Sequence, residues 1–353
     1  MAFCKARPAL AALSLVFLAA CGDSGPSTFD AAAMSSDIAV LDSVDSNNDI
    51  SQVFTGVDGV LGGSAMLNIG QLASRPLAGR DARTATAALK ATLARPVINA
   101  SAAIPPEAAG KTWIYNDATG EYEVSDQPGA PSNGVRILLY EQDIDGHFIL
   151  PLVETGHVDL TDLSSGSTRK GRLQAVKGST TFVDYTVSVT GDESNGEVGV
   201  EGFLLFAAGR LNVDFSAQGS TSGSTTTFDL TSSLDFPSRD VSFDFGLNGS
   251  VNDDAGTGAF SLTETINSPN GRMDVVGSGG YDTDFTYTIK VNGDTWATYD
   301  GATLTPVDGR TFTASEQHAL EGAAELTITG VLLPLALVLV MAALTGALPP
   351  FPG

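Results

Sequence analysis

The sequence holds three histidines, His147, His157 and His318, and two cysteines, Cys4 and Cys21, so side chains able to hold a metal or attack a substrate are few. The densest group is Asp143-Ile144-Asp145-Gly146-His147, in which Asp143, Asp145 and His147 offer three ligands at alternate positions. Carboxylate oxygens with an imidazole nitrogen suit a divalent cation. The same residues lie between the apolar runs Ile137-Leu138-Leu139 and Phe148-Ile149-Leu150, however, and Asp-Gly between two such runs is a hairpin turn. The turn is the preferred reading and no metal is expected; Asp143, Asp145 and His147 stand only as weak candidates. His157 and Asp159 share one face of a strand, so the carboxylate could orient the imidazole, but no nucleophile is marked beside them. A cross-strand polar pair is expected there.

Other motifs fail on spacing. Ser167-Thr168-Arg169-Lys170 matches the Ser-x-x-Lys pattern of penicillin-recognising acylases. Residues three apart on a strand point to opposite faces, and the companion Ser-Asp-Asn and Lys-Thr-Gly motifs are absent. Asp45-Ser46-Asn47-Asn48-Asp49 begins like a calcium loop, but Ile50 and Gly56 stand where Gly and Glu are required. Gly110-Lys111-Thr112 ends like a phosphate-binding loop, yet Pro105 falls where its first glycine should be. No catalytic residue and no cofactor is expected.

Cys21 marks chemistry of another kind. Lys5 and Arg7 precede an uncharged 13-residue run, Pro8 to Ala20, which ends in Leu18-Ala19-Ala20-Cys21. This resembles the signal peptide and lipobox of bacterial lipoproteins. The resemblance implies that Leu18, Ala19 and Ala20 direct cleavage, and that Cys21 is acylated and becomes the new N-terminus. The run is too short to span a bilayer. Cys4 would leave with the signal, so the mature chain would carry no thiol for a disulfide or a metal. The implied location is the bacterial cell envelope, lipid-anchored, in the outer membrane facing the periplasm or the cell surface. Gly22, not Asp, follows the cysteine, so nothing there resembles an inner-membrane retention signal.

Charge narrows the partners. The chain carries 41 acidic and 18 basic residues, a formal charge of −23. Without residues 1–20 it would hold 16 basic against 41 acidic residues, near −25. Such a surface repels phosphate backbones, so neither nucleic acid nor anionic headgroups are expected as main partners. Arg75, Arg80, Arg83, Lys90 and Arg95, opposed only by Asp81, run against the trend and read as a solvated helix or linker face.

The elements that must position these residues follow from periodicity. Residues 21–29 read as a tether, and 30–110 as a helical segment with a Pro- and Ala-rich connector over 96–110. Met34, Ile38, Leu41 and Val44 recur at helical spacing, as do Ile50, Val53, Phe54, Val57 and Leu61. Over 111–312 the period changes to two: Val183, Tyr185, Val187 and Val189 alternate with Asp184, Thr186 and Ser188. Phe243, Phe245 and Leu247 share one parity, as do Phe285, Tyr287, Ile289 and Val291. Asn-Gly turns at 195–196, 248–249, 270–271 and 292–293 punctuate these runs. An apolar-Asp-apolar triplet recurs every 30 residues, starting at Val183, Val213, Phe243 and Met273, and predicts repeated hairpins across 183–291. The repeated aspartates read as outward, solubilising residues.

The C-terminal segment, 313–348, opens with a Thr-x-x-Glu capping box at Thr313 and Glu316. Leu326 to Leu348 is 23 residues without a charge, long enough to span a bilayer. Pro334 would kink such a span and no Lys or Arg follows it, so burial is favoured, with membrane association left open. The tract holding Trp113, Tyr115, Tyr122, Gly129-Ala130-Pro131-Ser132-Asn133-Gly134-Val135-Arg136 and Gly156-His157-Val158-Asp159-Leu160-Thr161-Asp162 is similar to uncharacterised bacterial envelope lipoproteins. That similarity implies location and a β fold, and no activity. The expected fold is α+β, mainly β: a large curved antiparallel meander packed on apolar N- and C-terminal helices. The half-barrel of periplasmic lipoprotein carriers is a fold-level analogy for it. The expected function is a non-catalytic binding or structural role in the envelope. The alternative is a carrier or sensor of an apolar, acyl-type ligand held between sheet and helices; an envelope hydrolase ranks below both.

Overall fold

The structure, a computed structural model, describes residues 30–38, 53, 104, 106–143, 147–191, 194–206, 208–252, 254–280, 286–301, 303–320, 322–323, 333–334, 337–338 and 341. Three short strands come first: β1 (Lys111–Asn116), β2 (Glu121–Ser125) and β3 (Gly134–Tyr140). β4 (Glu154–Asp162) and β5 (Arg169–Lys177) follow. Then come the long strands β6 (Thr180–Gly191), β7 (Asn195–Phe206), β8 (Gly209–Ser222) and β9 (Thr225–Phe236). They continue as β10 (Val241–Asn252), β11 (Thr257–Ser268) and β12 (Gly271–Gly280). β13 (Thr286–Val291), β14 (Asp294–Tyr299) and β15 (Leu304–Pro306) complete the set. All lie in one open, mainly β, 15-stranded sheet in the order β15 back to β3, then β1 and β2.

Alternation along each strand, summed over the strands, makes two unlike faces. Across β4 to β6, Leu160, Leu173 and Tyr185 follow one another in register, and the same row continues through Val213, Leu234, Phe243, Ile266, Met273 and Val291. Every one of these is buried. One residue along, the row on the other face reads Thr186, Glu201, Asp214, Ser233, Asp244, Thr265, Asp274 and Lys290. A slip of one residue would exchange the two rows, so burial of the first fixes the register. The 30-residue triplets fall on β6, β8, β10 and β12, every second strand, because each repeat is one strand out and one back. Gly249 lies on the apolar face, where the rings of Phe228 and Phe260 approach to 5.8 Å. A Cβ at Gly249 would stand 2.8 Å from one ring and 3.1 Å from the other, so only glycine admits both.

The sheet is mixed, where a purely antiparallel one was expected. β1 pairs with β3 in parallel, Lys111 opposite Val135 and Trp113 opposite Ile137. The cause is local: β2 returns the chain to the end where β1 began, and residues 126–133 then cross past β1 to start β3 on its other side. Both outer strands are short. β2 presents Glu121 and Glu123, and β15 ends in Pro306, features that blunt an edge against further pairing.

Of the helical segments, α1 (Ala31–Ile38) is capped by Asp30, whose Oδ1 accepts from the Ala33 N–H at 3.0 Å. Met34 is wholly buried, and Asp37 accepts from Asn270 Nδ2, in the turn after β11, at 2.7 Å. Leu41 and Val44 of the expected helical pattern lie outside the described residues. Residues 314–320 form α2, opened by the expected capping box: the Thr313 N–H donates to Glu316 Oε2 at 2.8 Å, and the Glu316 N–H to Thr313 Oγ1 at 3.3 Å. Arg310 grips the same carboxylate with two bonds of 2.7 Å, and these contacts hold Glu316 down to about 2. Trp296 of β14 packs on Phe312 at 5.1 Å beside them. Further along, Leu333, Leu337, Val338 and Met341 are buried, and the Met341 methyl occupies the space that a Cβ on Gly171 of β5 would need. No helix among the described residues is long and apolar enough to cross a membrane.

Candidate functional site

Polar chemistry gathers on the solvent-side face of β3 to β6. Register places Arg136, Asp159, Gln174 and Asp184 side by side on four successive strands. Arg136 donates Nε to Asp159 Oδ1 and Nη2 to Oδ2, both at 2.7 Å. Arg172 grips Asp184 in the same way, at 2.7 and 2.5 Å, and Gln174 Nε2 donates to Asp184 Oδ2 at 3.2 Å. Two fork-to-fork pairs in a row satisfy both carboxylates and tie the strands together. The 126–133 connection passes over the Arg136 guanidinium at Gly129.

His157 lies beside this ladder, its Nε2 3.7 Å from Asp159 Oδ2. Burial, then the Arg136 charge, hold the imidazole below its ordinary value of about 6.5, with Asp159 and Glu154 opposing only in part. A neutral imidazole beside a carboxylate can accept a proton. Among the described residues, however, no Ser or Thr hydroxyl is hydrogen-bonded to His157, and Asp159 is committed to Arg136. The arrangement locks the register of β3 against β4. It does have a pH signature. The unfolded chain binds a proton that the folded His157 resists, so this stability is full above about pH 6.5 and is lost as pH falls below it. Taking the wild type from pH 7 to pH 5.5 is expected to lower its Tm by more than it lowers that of His157→Gln, measured by thermal melts across a pH series. Equal shifts would remove His157 as the source.

The other candidates separate. Asp143 and His147 close a turn: the His147 N–H donates to Asp143 Oδ1, and the Asp143 N–H to the His147 carbonyl, each at 2.9 Å. Gln142 and Phe148 bridge antiparallel at its neck, as a hairpin turn requires. Asp145 lies outside the described residues, and among those described no cluster of three metal-binding side chains occurs. Leu18, Ala19, Ala20 and Cys21 also lie outside them, as do Asp45 to Asp49. Ser167 sits in the turn before β5 and Lys170 on that strand. Gly110 takes a positive φ of 79° where the chain turns into β1, and Lys111 pairs with Asp126 at 3.7 Å. Tyr185 stands in the middle of the apolar face, where burial raises its hydroxyl well above the ordinary value and keeps it neutral.

Reading the sequence alone missed the partners of the repeated aspartates. Asp184 joins the ladder, Asp244 accepts from Ser233 at 2.8 Å, and Asp274 accepts from Thr265 at 2.8 Å and from Arg272. They lie on the outward face as expected, but as cross-strand and local links. It also missed an aromatic cluster in which Phe148 lies 4.0 Å from Tyr115, 6.2 Å from Tyr140 and 6.3 Å from Tyr122. The signal available was a register-matched Arg opposite Asp, visible only once β3 and β4 are paired. No family model, curated protein or solved structure matches this chain.

Proposed function

We propose that this is a lipid-anchored bacterial envelope protein with a non-catalytic binding or structural role. Its sheet curves into a half-barrel-like trough that its own N- and C-terminal apolar segments fill. The observation that carries the reading is the burial of Leu333, Leu337, Val338 and Met341, with Met341 seated on Gly171. Met34 and Val53 are buried in the same apolar cluster.

The anchor rests on the Leu18-Ala19-Ala20-Cys21 motif, and the membrane is its partner. In cells, Cys21→Ser should leave the protein unprocessed or release it from membranes, whereas Cys4→Ser should change little; fractionation and intact mass check both. A Cys21 variant that is processed normally yet stays on the membrane would sink the single-anchor reading. A carrier of an acyl-type ligand is the competing role. It would show as stoichiometric lipid in an organic extract of the detergent-free soluble form.

A further inference from the structure

We propose that the loop between β3 and β4 is a second membrane contact, which inserts Ile149, Leu150 and Val153 into the surface of a zwitterionic bilayer. The inference rests on the anchored reading above. These side chains are 40 %, 61 % and 49 % exposed, within five residues of one another. Apolar residues exposed singly are ordinary, but a contiguous group marks a contact surface.

The loop is built to hold them out. Phe148, between the turn and the exposed residues, packs into the Tyr115, Tyr122 and Tyr140 cluster, and the Tyr122 hydroxyl donates to the Leu138 carbonyl at 2.9 Å. The Ile149 N–H donates to the Glu141 carbonyl at 3.0 Å and the Glu141 N–H to the Val153 carbonyl at 2.9 Å. Leu152 packs inward against the core. Phe148 and Leu152 are therefore the root, and Ile149, Leu150 and Val153 the projecting tip.

Topology says what the tip faces. The odd-numbered strands from β3 to β15 run in one direction, so this loop lies on the same edge of the sheet as the turn after β11 and as Val307 after β15. Val307 is itself 56 % exposed. α1 is tied to that edge through Asp37 and Asn270. Asp30 lies within about 11 Å of Asp37 along the helix. The nine residues back to Cys21 can reach about 30 Å, so an acylated Cys21 comes within range of the same edge. Charge decides the lipid. Residues 141–154 include Glu141, Asp143, Asp145 and Glu154 and no Lys or Arg, so the contact gains from apolar burial and is opposed by anionic headgroups.

The test uses the full mature chain. With Cys4 removed and Cys21 acylated, Leu150→Cys offers one thiol for an environment-sensitive fluorophore, and Ser222→Cys, exposed at the opposite edge, is the control. On phosphatidylcholine vesicles the Leu150 probe should shift to the blue and be quenched by spin-labelled lipid, while the Ser222 probe stays in water. Replacing a third of the lipid by phosphatidylglycerol should weaken the effect several-fold. The same Leu150 probe on the unacylated Cys21→Ser chain should show binding that falls about tenfold in Ile149→Ser/Val153→Ser. That soluble series tests the loop even if mass spectrometry shows Cys21 unacylated, so the two failures are distinguishable. A Leu150 probe that stays in water on every vesicle would overturn the proposal in favour of a protein groove as the occupant. Stronger binding to anionic vesicles would overturn it as well.

Discussion

Phe245→Asp is expected to abolish cooperative folding of the sheet. Phe245 is 5 % exposed, at the centre of β10, and its ring lies nearly parallel to Phe243 with centroids 6.3 Å apart. Removing a buried Phe side chain costs about 3–5 kcal/mol through lost burial and the cavity left behind. The new carboxylate adds the penalty of an unpaired buried charge. Register makes this worse, because the neighbours across the ladder are Ser232 on β9 and Glu264 on β11, itself only 4 % exposed. Neither side chain offers a positive charge to a new carboxylate. The sum is comparable with the whole net stability of a domain, about 5–15 kcal/mol, so the variant should show no sharp melt. Asp244→Asn supplies the control. Asp244 points to the other face and accepts from Ser233, which an amide oxygen can still do, so its effect should stay within about 0.5 kcal/mol. Similar thermal shifts in the two variants would refute this register.

Deleting residues 326–353 should have an effect of the same order. Leu333, Leu337, Val338 and Met341 are each at most 5 % exposed. At about 1.5–3 kcal/mol for each fully buried side chain, these alone contribute about 6–12 kcal/mol gross. Their loss would also uncover the apolar face of β5 around Gly171, where the Met341 methyl now sits. The truncated, unacylated chain is expected to aggregate or to expose dye-binding surface, read by light scattering and fluorescence. A truncated protein that stays monomeric, melts sharply and holds no lipid would overturn the filled trough, and would return this segment to a membrane role. If it stays folded and takes up acyl lipid, the carrier reading gains the ground that the structural role loses.

The β character of the body was legible because alternation is a local property. Each strand writes its own period of two, and the Asp-centred triplets landed on β6, β8, β10 and β12 because a hairpin repeat needs only matched strand lengths. Capping was legible for the same reason, since Thr313 and Glu316 are three residues apart and satisfy each other. The turn at Asp143 to His147 likewise needs only its own residues and the apolar runs beside it.

What the tertiary structure alone decided are the features joining residues far apart in the chain. Arg136 meets Asp159 across 23 residues and Arg172 meets Asp184 across 12, and neither pairing has a spacing that a sequence pattern could reveal. The parallel match of β1 with β3 depends on which side the chain passes after β2, a choice set by packing and not by propensity. The aromatic root beneath the exposed loop needs Tyr115, Tyr122, Tyr140 and Phe148 from separate elements to converge. The sequence by itself therefore determined which residues alternate and cap, through contacts within a few positions, but not every turn: Asn248-Gly249, expected as one, lies inside β10 and is paired on both sides. Which charges pair, where a parallel neighbour enters the meander and which apolar side chains are left at the surface were decided by the folded sheet, because those energies exist only between segments that folding brings together.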